Sequence, residues 1–137
     1  MSTHVVSDAQ RMVAEMAPVR RDGAFCFCTL TVENSALLAH AIGTFREAEG
    51  LSLILPVEHA RAAGLPVDQP MACITLSVFS ALEGVGLTAA VATTLADAGI
   101  ACNMVAAFHH DHAFVPYTLA EKALDVLRRR AAADGGV

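Results

Sequence analysis

"LILPVEHARAA" (53–63) and "AFVPYTLAEKA" (113–123) read as two copies of one structural unit. Laid over each other, Pro56 falls on Pro116, Ile54 on Phe114, Leu55 on Val115, Ala60 on Ala120 and Ala63 on Ala123, a constant offset of 60 residues. Each copy is an apolar run closed by a proline, which has no N–H to donate and so ends a ladder, and then a helical segment. In the second copy Ala120, Ala123, Leu124 and Leu127 make an apolar stripe, and Thr118 with Glu121 has the spacing of a capping box.

Working outward, "CTLTV" (28–32) resembles "ITLSV" (74–78) at an offset of 46 residues. Alternation makes both half-buried strands, with Cys28, Leu30 and Val32 set against Ile74, Leu76 and Val78. The smaller offset means that the segment between strand and hairpin is shorter in the first copy. There "ENSALLAHAIG" (33–43) predicts a short helix, whereas Leu87, Val91 and Leu95, closed by Gly99, predict a long one. An extra helix is expected at about 7–17, with Ser7 and Gln10 as its capping box.

The order is βαββα written twice, an α+β chain of two ferredoxin-like (βαββαβ-type) halves in tandem. The strand at 71–78 closes the first half and opens the second, so the halves share or join sheets there. The expected division is 1–67, a degenerate half with the extra helix, and 68–137, a fuller one.

Composition narrows the function. A formal charge of −5 with a single lysine, Lys122, lacks the clustered cations that phosphate neutralisation needs, so nucleic acid is not an expected partner. The basic run Arg128–Arg130 falls at the end of a predicted helix, where cations meet the carbonyl end of the dipole. The N-terminal "MSTHVVSDAQRM" has no secretory pattern, and the apolar stretch Leu87–Phe108 is broken by Asp97, Gly99 and Asn103. A cytoplasmic protein without membrane association is expected. Hydrophobic residues make up 55% and charged residues 17%, an apolar surplus that predicts a homo-oligomer, with a dimer favoured. Cys26, Cys28, Cys73 and Cys102 form no C-x-x-C pair and read as buried free thiols.

The strings "GLTAAVATTLADAGI" (86–100) and "HDHAFVP" (110–116), with "AEKALDVL", "FCTL", "TFREAEGLSLILP" and "ITLSV", resemble the small stand-alone tandem ACT-domain proteins of bacteria over nearly the whole chain, from about Met16 to Leu127. The resemblance implies the ferredoxin-like α+β fold. It also implies a regulatory role in which a small effector, often an amino acid, binds beside the loop after the first strand. In that family the loop often reads acidic or amide, any residue, proline, glycine. Here "EGVG" places Glu83 in the polar position, Val85 where proline would stand and Gly86 at the glycine.

The residues support such a site in their own terms. A glycine turn lets backbone approach a ligand, and unpaired N–H groups at the start of the 85–98 helix favour a carboxylate. Glu83 suits either an ammonium group or a cap formed with Ser80. The expected ligand set is Ser80, Leu82, Glu83, Gly84, Val85, Gly86 and Leu87, with Asn103 on the facing strand. The first copy has no glycine in its loop, so the effector pocket is expected around the second.

"AFHHDH" (107–112) lies over the acidic "EAEGLS" (47–52) in the repeat. With His110 and Asp111 as the two turn residues, His109 and His112 would face each other across the hairpin at about 5 Å between Cβ atoms. His109, His110, Asp111 and His112 are therefore candidates for ligand or partner contact, and His109 with His112 for a metal, although no fourth ligand is evident. His40 and His59, each single in a helix, read as structural. No cofactor is expected, and without a nucleophile elbow or a phosphate loop the chain is not expected to be an enzyme. Two other readings stay open: a metal-binding protein or metal-dependent enzyme using the histidines, and a purely structural dimerisation module.

Overall fold

The computed structural model describes residues 10–32, 34–77 and 86–135. In chain order its elements are α1 (10–14), β1 (Val19–Arg20), β2 (Phe25–Leu30), α2 (Ser35–Leu38), β3 (Gly43–Glu47), β4 (Gly50–Pro56) and α3 (Val57–Ala62). Then come β5 (Met71–Ser77), α4 (Leu87–Asp97), β6 (Asn103–Ala106), β7 (His110–Pro116), a 3-10 turn (Tyr117–Leu119) and α5 (Ala120–Gly135). This α+β, antiparallel βαββα order occurs twice, as the repeat predicts. The chain forms two compact units, Asp22–Ala72 and the remainder, so β5 gives its first two residues to one and the rest to the other.

In the Asp22–Ala72 unit the strand order is β3–β4–β2, and Phe25 of β2 also pairs with Met71. Alternation decides the faces. Cys26 and Cys28 of β2 join Leu53 and Leu55 of β4, Leu37 of α2 and Ala60 of α3 in one buried cluster. Phe27 points the other way and is half exposed. α2 is a single turn capped by Asn34, whose Oδ1 accepts from the N–H groups of Ala36 (3.1 Å) and Leu37 (3.3 Å).

In the other unit β1 pairs with β5, β5 neighbours β7, and β7 pairs with β6. Leu87, Val91 and Leu95 of α4 and Ala120, Ala123, Leu124 and Leu127 of α5 are buried, the two stripes read from spacing. α4 ends in a left-handed glycine cap: Gly99 (φ 75°) donates to Ala96 O at 2.9 Å and Ile100 donates to Leu95 O at 2.9 Å. The same cap closes α3 through Gly64 and Leu65, which donate to Arg61 O and Ala60 O. Lys122 Nζ donates to Ala98 O at 3.0 Å, a cation on the carbonyl end of α4.

Three expectations change. The N-terminal helix has stopped by Ala14, because Pro18 disfavours helix in the residue before it, and Ala17 takes φ 42°. Ser7 of its capping box lies outside the described residues. The freed chain continues as β1, an unexpected strand tied to α5 by the Arg20 Nη1–Glu121 Oε2 ion pair at 2.6 Å and to the 3-10 turn before it by the Arg20 guanidinium 5.1 Å over the Tyr117 ring. Thr118 and Glu121 form no cap, since the 3-10 turn starts directly after Pro116 and carries both residues past the cap position. Val32 is exposed beyond the end of β2, and Val78 lies outside the described residues.

Candidate functional site

Of the expected ligand loop, Ser80, Leu82, Glu83, Gly84 and Val85 lie outside the described residues; Gly86, Leu87 and Asn103 are placed. Gly86 is the N-cap of α4 with φ 103° and ψ −21°, a left-handed geometry that a side chain resists, and as a glycine it brings no side chain of its own to cap the helix. Its carbonyl accepts from Ala90 N–H at 3.0 Å, so the amides ahead of Ala90 have no partner within the helix. An eleven-residue helix therefore presents the positive end of its dipole here, next to the chain that joins it to β5. Leu87 is buried as the first core residue of α4, so it anchors the helix start. Asn103 opens β6 opposite Phe114 and is exposed.

The histidine hairpin turns two residues earlier than expected. Ala106 pairs with Asp111 and Val105 with His112, and Ala107 N–H donates to His110 O at 3.0 Å, so the tip is Phe108–His109. The ladder fixes this through Met104 opposite the fully buried Ala113. His109 and His112 consequently do not face each other. His110 and His112 share a face of β7, with ring centroids 6.3 Å apart, while Asp111 points to the opposite face. Among the described residues no group of three His, Cys, Asp or Glu side chains is arranged to hold a metal ion.

His112 is the histidine with a built environment. Its Nδ1 lies 3.0 Å from Thr75 Oγ1 and 3.9 Å from Cys73 Sγ on β5. Burial, then His110 and Arg21, hold the imidazole below its ordinary value, against the opposing pull of Asp111. Burial raises the Asp111 carboxyl, with His112 opposing. Because the folded chain binds fewer protons at His112 than the unfolded chain, the neutral ring contributes stability that is present above pH 6.5 and is lost as pH falls below it. Melting curves of wild type and His112→Gln between acid and neutral pH check this: the acid loss is expected to be smaller in the variant.

All four cysteines are free thiols, three buried and Cys102 half-buried, and desolvation raises each of them. None has the lowered value of a thiol nucleophile. His40 and His59, read as single structural residues, stack on each other with ring centroids 3.7 Å apart and planes 12° off parallel. A feature not anticipated from the sequence is a cleft of about 210 Å³ in the Asp22–Ala72 unit, lined by Leu30, Thr31, Arg46, Glu47, Gly50 and Leu51. Gly50 shapes it, since a Cβ there would sit 2.5 Å from Leu30 O. A glycine directly after the acidic "EAE" was the available signal.

No curated protein sequence matches the chain. A crystal structure of a protein of unknown function from Vibrio cholerae, described as a possible transport protein, is 42% identical with a TM-score of 0.79, covering 90% of this chain and 95% of that one. A protein from Agrobacterium tumefaciens is 24% identical (TM-score 0.60; 80% and 84% covered). The ligand-free regulatory subunit of aspartate kinase from Thermus thermophilus shares the fold at 8% identity (TM-score 0.58; 85% and 97% covered). Two ACT-domain family models match in succession, one over residues 6–72 and one over 70–129. With the doubled βαββα order and a 42% identical structure of nearly the same length, the chain belongs to the ACT-domain family as a tandem pair of such domains.

Proposed function

We propose that this chain is a non-enzymatic regulatory protein of the cytoplasm that binds a small metabolite, an amino acid, and works as a homodimer. The observation that carries the reading is the amino end of the eleven-residue helix α4, opened by left-handed Gly86, which brings no capping side chain of its own, in a tandem ACT pair. Unpaired amides at a helix start suit a carboxylate. In this reading Glu83 receives the ammonium group, and Ser80, Leu82, Gly84, Val85, Gly86, Leu87 and Asn103 complete the ligand set. Low-identity likeness to an aspartate kinase regulatory subunit agrees with the fold this reading needs. No helix of the described residues is long and apolar enough to cross a membrane.

Thermal melting against a panel of the amino acids tests it. A ligand at a hundred times its dissociation constant adds about 2.7 kcal/mol of stability. One amino acid is expected to raise the melting temperature, and Glu83→Ala to abolish the rise without lowering the unliganded melting point. A panel in which no amino acid shifts the midpoint refutes the reading.

A further inference from the structure

The two hairpins of the repeat end in opposite chemistry. The β3–β4 tip carries Glu47 and Glu49, both exposed, and borders the cleft of about 210 Å³ lined by Leu30, Thr31, Arg46, Glu47, Gly50 and Leu51. The β6–β7 tip carries His109 and His110, both exposed, and Phe108, which is 77% exposed with its ring edge-on to His109 at 4.9 Å. At the apex of a tight turn most of the Phe108 ring faces water, which leaves it available to a partner.

We infer that the Phe108 tip of one copy seats in the β3–β4 cleft of a second copy. At about 210 Å³ the cleft lies under the roughly 300–1,000 Å³ usual for small-molecule sites and suits one side chain. Leu30 and Leu51 give the ring apolar walls, and Arg46 adds a guanidinium that packs on an aromatic face. Glu47 lines the cleft and Glu49 is exposed in the turn between β3 and β4, so their carboxylates are the groups offered to the imidazole N–H groups of His109 and His110. Glu47 also accepts from Ser52 Oγ, which holds its carboxylate at the tip. A buried aromatic anchor ringed by polar pairs is the arrangement in which a few residues carry most of an association energy. The partner is a second copy because each chain holds both halves, the acidic cleft and the imidazole-flanked ring, in equal amount. This deepens the dimer part of the proposed function and is independent of its amino-acid part.

Sedimentation velocity of the ligand-free full chain over a concentration series decides the matter. Wild type is expected to form a reversible dimer, and Phe108→Ser to weaken it about tenfold or more, with an unchanged melting temperature at concentrations low enough that both chains are monomeric. Glu49→Lys and His109→Glu are each expected to weaken the dimer, and the doubly substituted chain, which places opposite charges across the contact, to recover it. A wild type monomeric at every concentration, a dimer indifferent to Phe108→Ser, or a double variant no better than either single one overturns the inference. The amino-acid panel is read on melting temperature, so the two readings fail separately.

Discussion

Phe114→Ala is expected to cost about 3–5 kcal/mol, the range for truncating a buried phenylalanine, with urea unfolding as the measurement. Among the described residues Phe114 is the largest of the fully buried side chains, at 2% exposure, in the middle of β7 between Ala113 and Val115, which are wholly buried. Truncation removes the transfer energy of the ring and leaves a cavity that the flanking ladder to β6 keeps from collapsing. Domains of this size are stable by about 5–15 kcal/mol, so the variant is expected to lose a large share of its folded margin. Phe114→Leu, which fills most of the space, is expected to recover more than half of the loss.

Gly50→Ala is expected to destabilise the Asp22–Ala72 unit by about 2 kcal/mol or more. Two penalties coincide at this position. Its φ of 152° lies where side chains are strained, and the added Cβ would stand 2.5 Å from Leu30 O and 3.2 Å from Leu30 C, backbone atoms that cannot swing aside. Relief requires β4 to move off β2, which loosens the pairing of Leu51 with Leu30. Gly64→Ala provides the comparison: φ is 74°, but nothing lies within 4 Å, so only the conformational cost of about 1 kcal/mol is expected. Hydrogen exchange of the β2 and β4 amides localises the difference. Equal effects of the two substitutions would show that the close approach at Gly50 carries no cost.

The features legible in the sequence are those set by local spacing. Pro56 and Pro116, matched across the repeat, adopt the same backbone geometry, φ −54° and ψ 139° against φ −52° and ψ 135°, each starting the helical segment after a strand. Ala60 and Ala120, paired by the same offset, are both buried at the helix–sheet contact. Gly99 caps α4 as its position predicts. The candidate site was legible as residue types but not as geometry. "AFHHDHAFVP" shows that a hairpin exists, yet its apex depends on which β6 residue lies opposite Ala113, a choice made by long-range pairing.

The sequence by itself determined the tandem βαββα order, the unequal helices α2 and α4 and the core stripes, because strand alternation, helical period and turn chemistry act over a few residues. Only the tertiary structure decided that β1 lies against β5, that His112 rather than His109 meets Thr75 and Cys73, that His40 stacks on His59, and that a cleft opens beside Gly50. Each of these contacts joins residues far apart in the chain, and which partners meet follows from packing the whole unit rather than from any local preference.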